Sequence, residues 1–154
     1  MAAAVLAGMA ITAGGWRFMM RDAAVVQAAV RFEVRLAETQ PAKGLREARV
    51  AGSDEKIYLY PDAVVTNADI SESRVIDRDQ SGGHYSVTVS FTASGAEKMR
   101  RATARHIGKP MAIIVDGEVV AAPTVRDAVG SEAVLTGNYT RAEAERIANG
   151  MRVR

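Results

Sequence analysis

The sequence predicts an α+β fold: a largely antiparallel sheet with two main helices packed on one face, preceded by an apolar N-terminal segment. Three observations carry that prediction. Apolar and polar residues alternate through Phe32–Leu36 and Tyr85–Phe91, the period of a strand with one wet face. Asp116-Gly117, between Ala112–Val115 and Val119–Ala122, suits the two positive φ angles of a type I′ hairpin turn. Two later segments open with capping-box spacing and then repeat apolar residues at helical period.

Taken in order, Phe32-Glu33-Val34-Arg35-Leu36 reads as a half-buried strand. Thr39 to Asp54 holds Pro41, Gly44 and Gly52 among charged residues and reads as a loop. Ile57–Tyr60 makes a short strand stopped by Pro61, with Val64-Val65 as a candidate extension. Thr66 to Ile70 is a turn or brief helical piece in which Asn67 or Asp69 can bond the backbone just ahead. Ser73–Ile76 and Tyr85–Phe91 form a second hairpin around the Asp77–Gly83 loop, with Tyr85, Val87, Val89 and Phe91 on one face.

The first helix is capped by Ser94 and Glu97, carries Ala96, Met99, Thr103 and His106 or Ile107 at helical period, and is stopped by Gly108 and Pro110. After the Asp-Gly hairpin, Pro123 denies a ladder donor and predicts an edge or bulge. Thr136-Gly137-Asn138 ends the next apolar run as a turn. The last helix starts at Thr140, with Glu143 completing its capping box and Ala144, Ile147, Ala148 and Met151 as its apolar stripe.

The first thirty residues differ from the rest. Met1 to Trp16 carries no charge and is rich in Ala, Gly and Met, yet it falls short of the roughly 20 apolar residues of a spanning helix and lacks a basic n-region. Two readings fit: an export or anchor segment whose start lies further upstream, with Val26-Gln27-Ala28 as a cleavage site, or an Ala-rich helix packed on the domain. The first is favoured. It divides the chain into an export- or anchor-like segment, 1–30, and a folded domain, 31–154, expected to be periplasmic or otherwise extracytoplasmic.

At 154 residues, with 48% hydrophobic and 25% charged residues, the chain is one soluble domain's worth. Twenty basic against 18 acidic residues, a net +2, is too balanced for an electrostatic grip on nucleic acid. Lys98, Arg100, Arg101, Arg105 and Lys109 cluster without aromatic neighbours and read as a solvated helix face. Cysteine is absent, so disulfides, thiolate metal sites and thiol nucleophiles are excluded.

Chemistry is scarce. Asp77-Arg78-Asp79-Gln80-Ser81-Gly82 opens like a calcium-binding loop, but Thr88 stands where a bidentate glutamate is needed, so it reads as a hairpin loop. His84 and His106 have no carboxylate at a spacing that would orient them, and Asp116, half of a nominal pair with Asp127, is required by its turn. Nucleophile-elbow, Walker and dinucleotide motifs do not occur. The reading is a non-enzyme with no catalytic, metal-ligating or cofactor-binding residue and no cofactor; polypeptide-contacting residues stay unassigned.

An ordered set of segments nevertheless carries a resemblance: Phe32–Leu36; Val65-Thr66-Asn67-Ala68-Asp69-Ile70; Val87–Thr92 with Gly95-Ala96; Gly108-Lys109-Pro110 through Asp116-Gly117; Val119–Pro123; and Thr136–Thr140. Together these resemble the head subdomain of the first periplasmic domain of the SecD and SecDF protein-export subunits, over about residues 31 to 151. The resemblance implies a non-enzymatic part of the Sec translocase that holds an emerging polypeptide. The membrane spans and membrane carboxylates of the complete motor do not occur within these residues. What is expected is a head-like binding module contacting exported polypeptide or translocase components, with membrane attachment through the N-terminal segment. The alternative is a stand-alone cell-envelope interaction domain unrelated to export.

Overall fold

In the computed structural model, which describes residues 28–78 and 84–152, the alternating segments become strands and both capped segments become helices. The elements are β1 (Phe32–Glu38), β2 (Arg46–Arg49), β3 (Lys56–Thr66), β4 (Ile70–Asp77), β5 (Tyr85–Phe91), α1 (Ala93–Ala104), β6 (Met111–Val115), β7 (Glu118–Ala121), β8 (Glu132–Tyr139) and α2 (Arg141–Gly150). The apolar start through residue 27 and residues 79–83 of the calcium-like loop lie outside the described residues. Strand pairing is antiparallel throughout these elements, and the α+β class stands. The strands divide into two sheets, however, ordered β2-β3-β1-β6-β7 and β4-β5-β8.

Two cores follow from that division. The larger joins Phe32 and Val34 of β1, Ile113 and Val115 of β6, Val87, Val89 and Phe91 of β5, Met99 of α1 and the Ala144, Ile147, Ala148, Met151 stripe. The smaller, around Ile57, Leu59, Ala112, Ile114 and Val119, lies against the other face of the larger sheet. There the sheet curls until its ends meet: Val50, just past β2, bridges Val119 of β7, and Ala51 N–H donates to the Val119 carbonyl at 2.8 Å. The expected edge at β7 is therefore present in strand order but closed at Val119.

Three departures from the sequence reading have identifiable physical causes. The Thr39–Asp54 loop contains β2, a four-residue strand of Arg, Glu and Ala whose largely exposed side chains carry no apolar alternation. Pro61 does not stop β3, because Tyr60, Pro61 and Asp62 bulge opposite Leu36 alone, where no ladder N–H is needed. Arg35 Nη1 donates to the carbonyls of both Tyr60 and Pro61 and so holds that bulge in place. Thr136-Gly137-Asn138 lies inside β8 as a second bulge, and a side chain at Gly137 would come within 2.8 Å of the Tyr139 ring.

The cap of α1 departs from the sequence expectation and that of α2 meets it. Thr92, not Ser94, caps α1: its Oγ1 accepts from Gly95 N–H at 3.1 Å, and its own N–H donates to the Asp69 carbonyl at 2.8 Å. At α2 the Thr140–Glu143 capping box forms as read, with Thr140 N–H donating to Glu143 Oε2 at 2.8 Å. Thr140→Ala is expected to cost about 1 kcal/mol in urea denaturation. A loss of only a few tenths would mean that the apolar stripe alone holds the helix. Asp116 and Gly117 have φ of 51° and 86°, the paired positive angles required of the hairpin turn.

Asn67 does not bond the backbone just ahead; it joins distant parts of the chain. Its Oδ1 accepts from Phe32 N–H at 2.8 Å, while its Nδ2 donates to the carbonyls of Val30 and Met151 at 2.9 and 3.0 Å. Val30 N–H in turn donates to the Gly150 carbonyl at 2.9 Å. One amide thus ties the beginning of β1 to the end of α2. Asp69 takes the local role instead, accepting from Thr66 N–H at 3.1 Å.

Candidate interaction surface

The polar residues that the fold brings together form a lock. Glu38 Oε1, at the end of β1, accepts from both Tyr60 OH and Lys109 Nζ at 2.8 Å. His106 lies beside them, its ring edge-on to Tyr60 at 6.0 Å between centroids. It is buried, and its Nε2 is 2.7 Å from the Ala37 carbonyl, which can only accept, so Nε2 carries the proton. No spacing in the sequence announces this cluster, because Glu38, Tyr60 and Lys109 meet only through β1–β3 pairing and the loop after α1.

Its electrostatics oppose proton transfer near neutral pH. The Lys109 and Tyr60 hydrogen bonds hold the Glu38 carboxyl below the ordinary glutamate range. The same bonds raise the Tyr60 phenol and the Lys109 ammonium above theirs. A general acid or base works best with a pKa near the operating pH, and all three groups are driven away from it. For Glu38, whose folded pKa is depressed, the stabilisation is present above the unfolded value and lost as pH falls through the folded one. Tyr60 and Lys109 have raised folded pKa values, so their contribution is full below the unfolded values and lost as pH climbs through the folded ones. Glu38→Gln is expected to flatten both arms of the stability–pH curve, most visibly below roughly pH 4, where ordinary glutamate titrates. Unchanged acid and alkaline limbs in pH-dependent urea titrations would show that the cluster contributes no linkage.

The other residues singled out in the sequence are not gathered. His84 is exposed at the foot of β5, where its carbonyl accepts from Arg78 N–H at 3.0 Å and closes the loop. Asp116 Oδ1 accepts from the N–H of Arg31, just ahead of β1, and so ties its hairpin turn to that strand, whereas Asp127 Oδ1 accepts locally from Ala128 N–H. Among the described residues there is no group of three or more His, Asp or Glu able to hold a metal ion.

Two surfaces are instead suited to contact. A groove of about 370 Å³ runs between α1 and the β1–β3 pair, lined by Leu36, Val64, Ala102, Lys98, Arg101 and Arg105. Helical spacing puts Lys98, Arg101, Ala102 and Arg105 on one side of α1, so the cations read as a solvated face border an apolar floor. The second surface is the side of the smaller sheet turned away from α2. Its central hydroxyls, Ser86 and Thr88, are buried without a hydrogen-bond partner, and Ile76 and Val134 beside them are 45% and 48% exposed.

The elements from β2 to α2 coincide with a known family. The family model described as SecDF, P1 head subdomain, matches residues 42–153. The chain belongs to this family. Among relatives of the SecDF head, SecDF of Thermus thermophilus is 39% identical over 99 residues, covering 61% of this chain and 13% of that protein. SecD of Acidaminococcus fermentans is 40% identical over 86 residues, covering 55% of this chain and 20% of its own length. Both are protein translocase subunits, and the chain matches a fifth or less of either.

Solved structures give the same fold. The crystal structure of SecDF in its super-membrane-facing form superposes with a TM-score of 0.64 and 27% identity, over 83% of this chain and 19% of that one. A second structure, of a SecDF described as a membrane component that enhances protein export, gives 0.63 and 25%, over 96% of this chain and 71% of that one. The expected SecDF-head fold is thereby borne out. Among the described residues no helix is long and apolar enough to cross a membrane.

Proposed function

We propose that this SecDF-head domain is a non-enzymatic extracytoplasmic module that contacts exported polypeptide or translocase components during protein export. The observation that carries this reading is the family match over residues 42–153, whose relatives are translocase subunits. The Glu38–Tyr60–Lys109 lock supports a non-enzymatic role, since it fixes protonation states in place of cycling them. The near-balanced charge favours a protein partner over nucleic acid. In this reading residues 1–30 direct or attach the domain to the membrane, and the domain works without a cofactor.

The closed β7 edge moves the contact surface away from the Pro123 strand, because Ala51 already occupies the Val119 carbonyl. Photoreactive side chains should therefore be placed in cells at Ala102 and Val64 in the groove and at Val134 on the open sheet face. Capture of exported precursors or translocase subunits supports the reading. Capture of one stoichiometric partner outside export supports a stand-alone envelope interaction domain instead. No adduct from any of the three positions, or a cytosolic location on fractionation, ends the proposal.

A further inference from the structure

We propose that the groove between α1 and the β1–β3 pair selects polypeptide segments in which an aliphatic or aromatic side chain is flanked by aspartate or glutamate. This deepens, and rests on, the reading of the domain as a polypeptide-binding module. The floor is made of Leu36, Val64 and Ala102, each half-buried, in a shallow, open depression that an extended segment can lie along. Burying an apolar side chain there removes water from both partners, which supplies a non-directional attraction. Selectivity has to come from the rim.

The rim is cationic along its whole α1 side. Lys98 is held by Asp69 and Arg101 by Glu97, both at 2.7 Å, yet their side chains remain 51% and 70% exposed and keep donors to offer. Arg105, one helical turn beyond Arg101, is exposed and makes no ion pair among the described residues. Its planar guanidinium can meet a carboxylate with two parallel hydrogen bonds. The groove lining holds three cations and no acid. Asp69 and Glu97 offset part of the charge of Lys98 and Arg101, so the positive excess at the rim centres on Arg105, and it disfavours segments carrying lysine or arginine beside the apolar anchor. The lining has no aromatic ring on which a base could stack, which argues against single-stranded nucleic acid.

The test uses the full chain and fluorescein-labelled Gly/Ser-rich dodecapeptides with a central Leu-Glu-Leu-Glu, Leu-Lys-Leu-Lys or Ser-Glu-Ser-Glu, read by fluorescence anisotropy. The Leu/Glu peptide is expected to bind at least tenfold more tightly than either control. Arg105→Glu should weaken it at least fivefold, as should Ala102→Gln, which fills the floor; Arg49→Glu, an exposed charge on β2, should leave it unchanged. Circular dichroism checks that each variant is folded, and Arg105 is an exposed residue. Equal binding of Leu/Glu and Leu/Lys peptides overturns the charge selectivity while leaving polypeptide binding intact. Equal binding of Leu/Glu and Ser/Glu peptides overturns the apolar floor. Absence of peptide binding, with Arg105-dependent binding to vesicles one-third phosphatidylglycerol, assigns the cations to a lipid surface and overturns the site. Absence of both overturns this groove, and the cellular crosslinks at Val134 then decide separately whether the module contacts exported chains.

Discussion

Asn67→Ala is expected to lower stability by about 3 kcal/mol, the largest single-residue effect foreseen in this fold. The substitution removes three hydrogen bonds of 2.8 to 3.0 Å. It also leaves the N–H of fully buried Phe32 and the carbonyl of buried Val30 without that partner. An unmade buried hydrogen bond costs more than a made one contributes, so the loss exceeds three ordinary net bonds only if water stays out. Asn67→Asp should give no rescue, because its carboxylate would face two carbonyl oxygens. Urea denaturation checks the magnitude, and faster amide exchange at Phe32 checks the cause. A cost under about 1 kcal/mol would show that packing and the Val30–Gly150 bond hold the two ends of the domain without Asn67.

Gly95→Ala is expected to cost about 2 kcal/mol despite replacing glycine with the better helix former. A methyl group there would sit 2.8 Å from both Asp69 Cβ and the Asp69 carbonyl oxygen, and 3.2 Å from Phe91 Cβ. The carbonyl is backbone and already accepts from Thr92 N–H, so relief requires moving the whole start of α1. That movement would strain the Lys98–Asp69 pair and widen the groove. Denaturation gives the stability change. A variant as stable as the parent would mean that α1 slides freely over the Asn67–Asp69 turn.

What could be read in the sequence was whatever local physics decides. The Asp116-Gly117 turn and the Thr140–Glu143 box each depend on a few adjacent residues, and both formed as read. The α2 stripe and the β5 face follow from simple periods, and both are buried save for the half-buried Tyr85. Elements whose reason lies elsewhere in the chain were missed. β2 shows no alternation because its outer faces are wet, and its strand character comes from pairing with Lys56–Leu59. Pro61 looked like a stop because the bulge that tolerates it is held by Arg35, 26 residues earlier. The division into two sheets likewise depends on long-range pairing that no hydrophobic pattern encodes.

The contact surface was legible only in part. The spacing of Lys98, Arg101 and Arg105 was visible, but the apolar floor that gives those cations a context comes from Leu36 and Val64 on other elements. The Glu38–Tyr60–Lys109 lock had no signal at all, since its members are drawn together by strand register and a loop.

Because the amide of Asn67 grips both Val30 and Met151, the two ends of the described domain are fastened side by side by one side chain. In mechanical terms, tension applied across those neighbouring ends reaches the Val30–Gly150 bond and this one side chain first, opening them in sequence like a zipper.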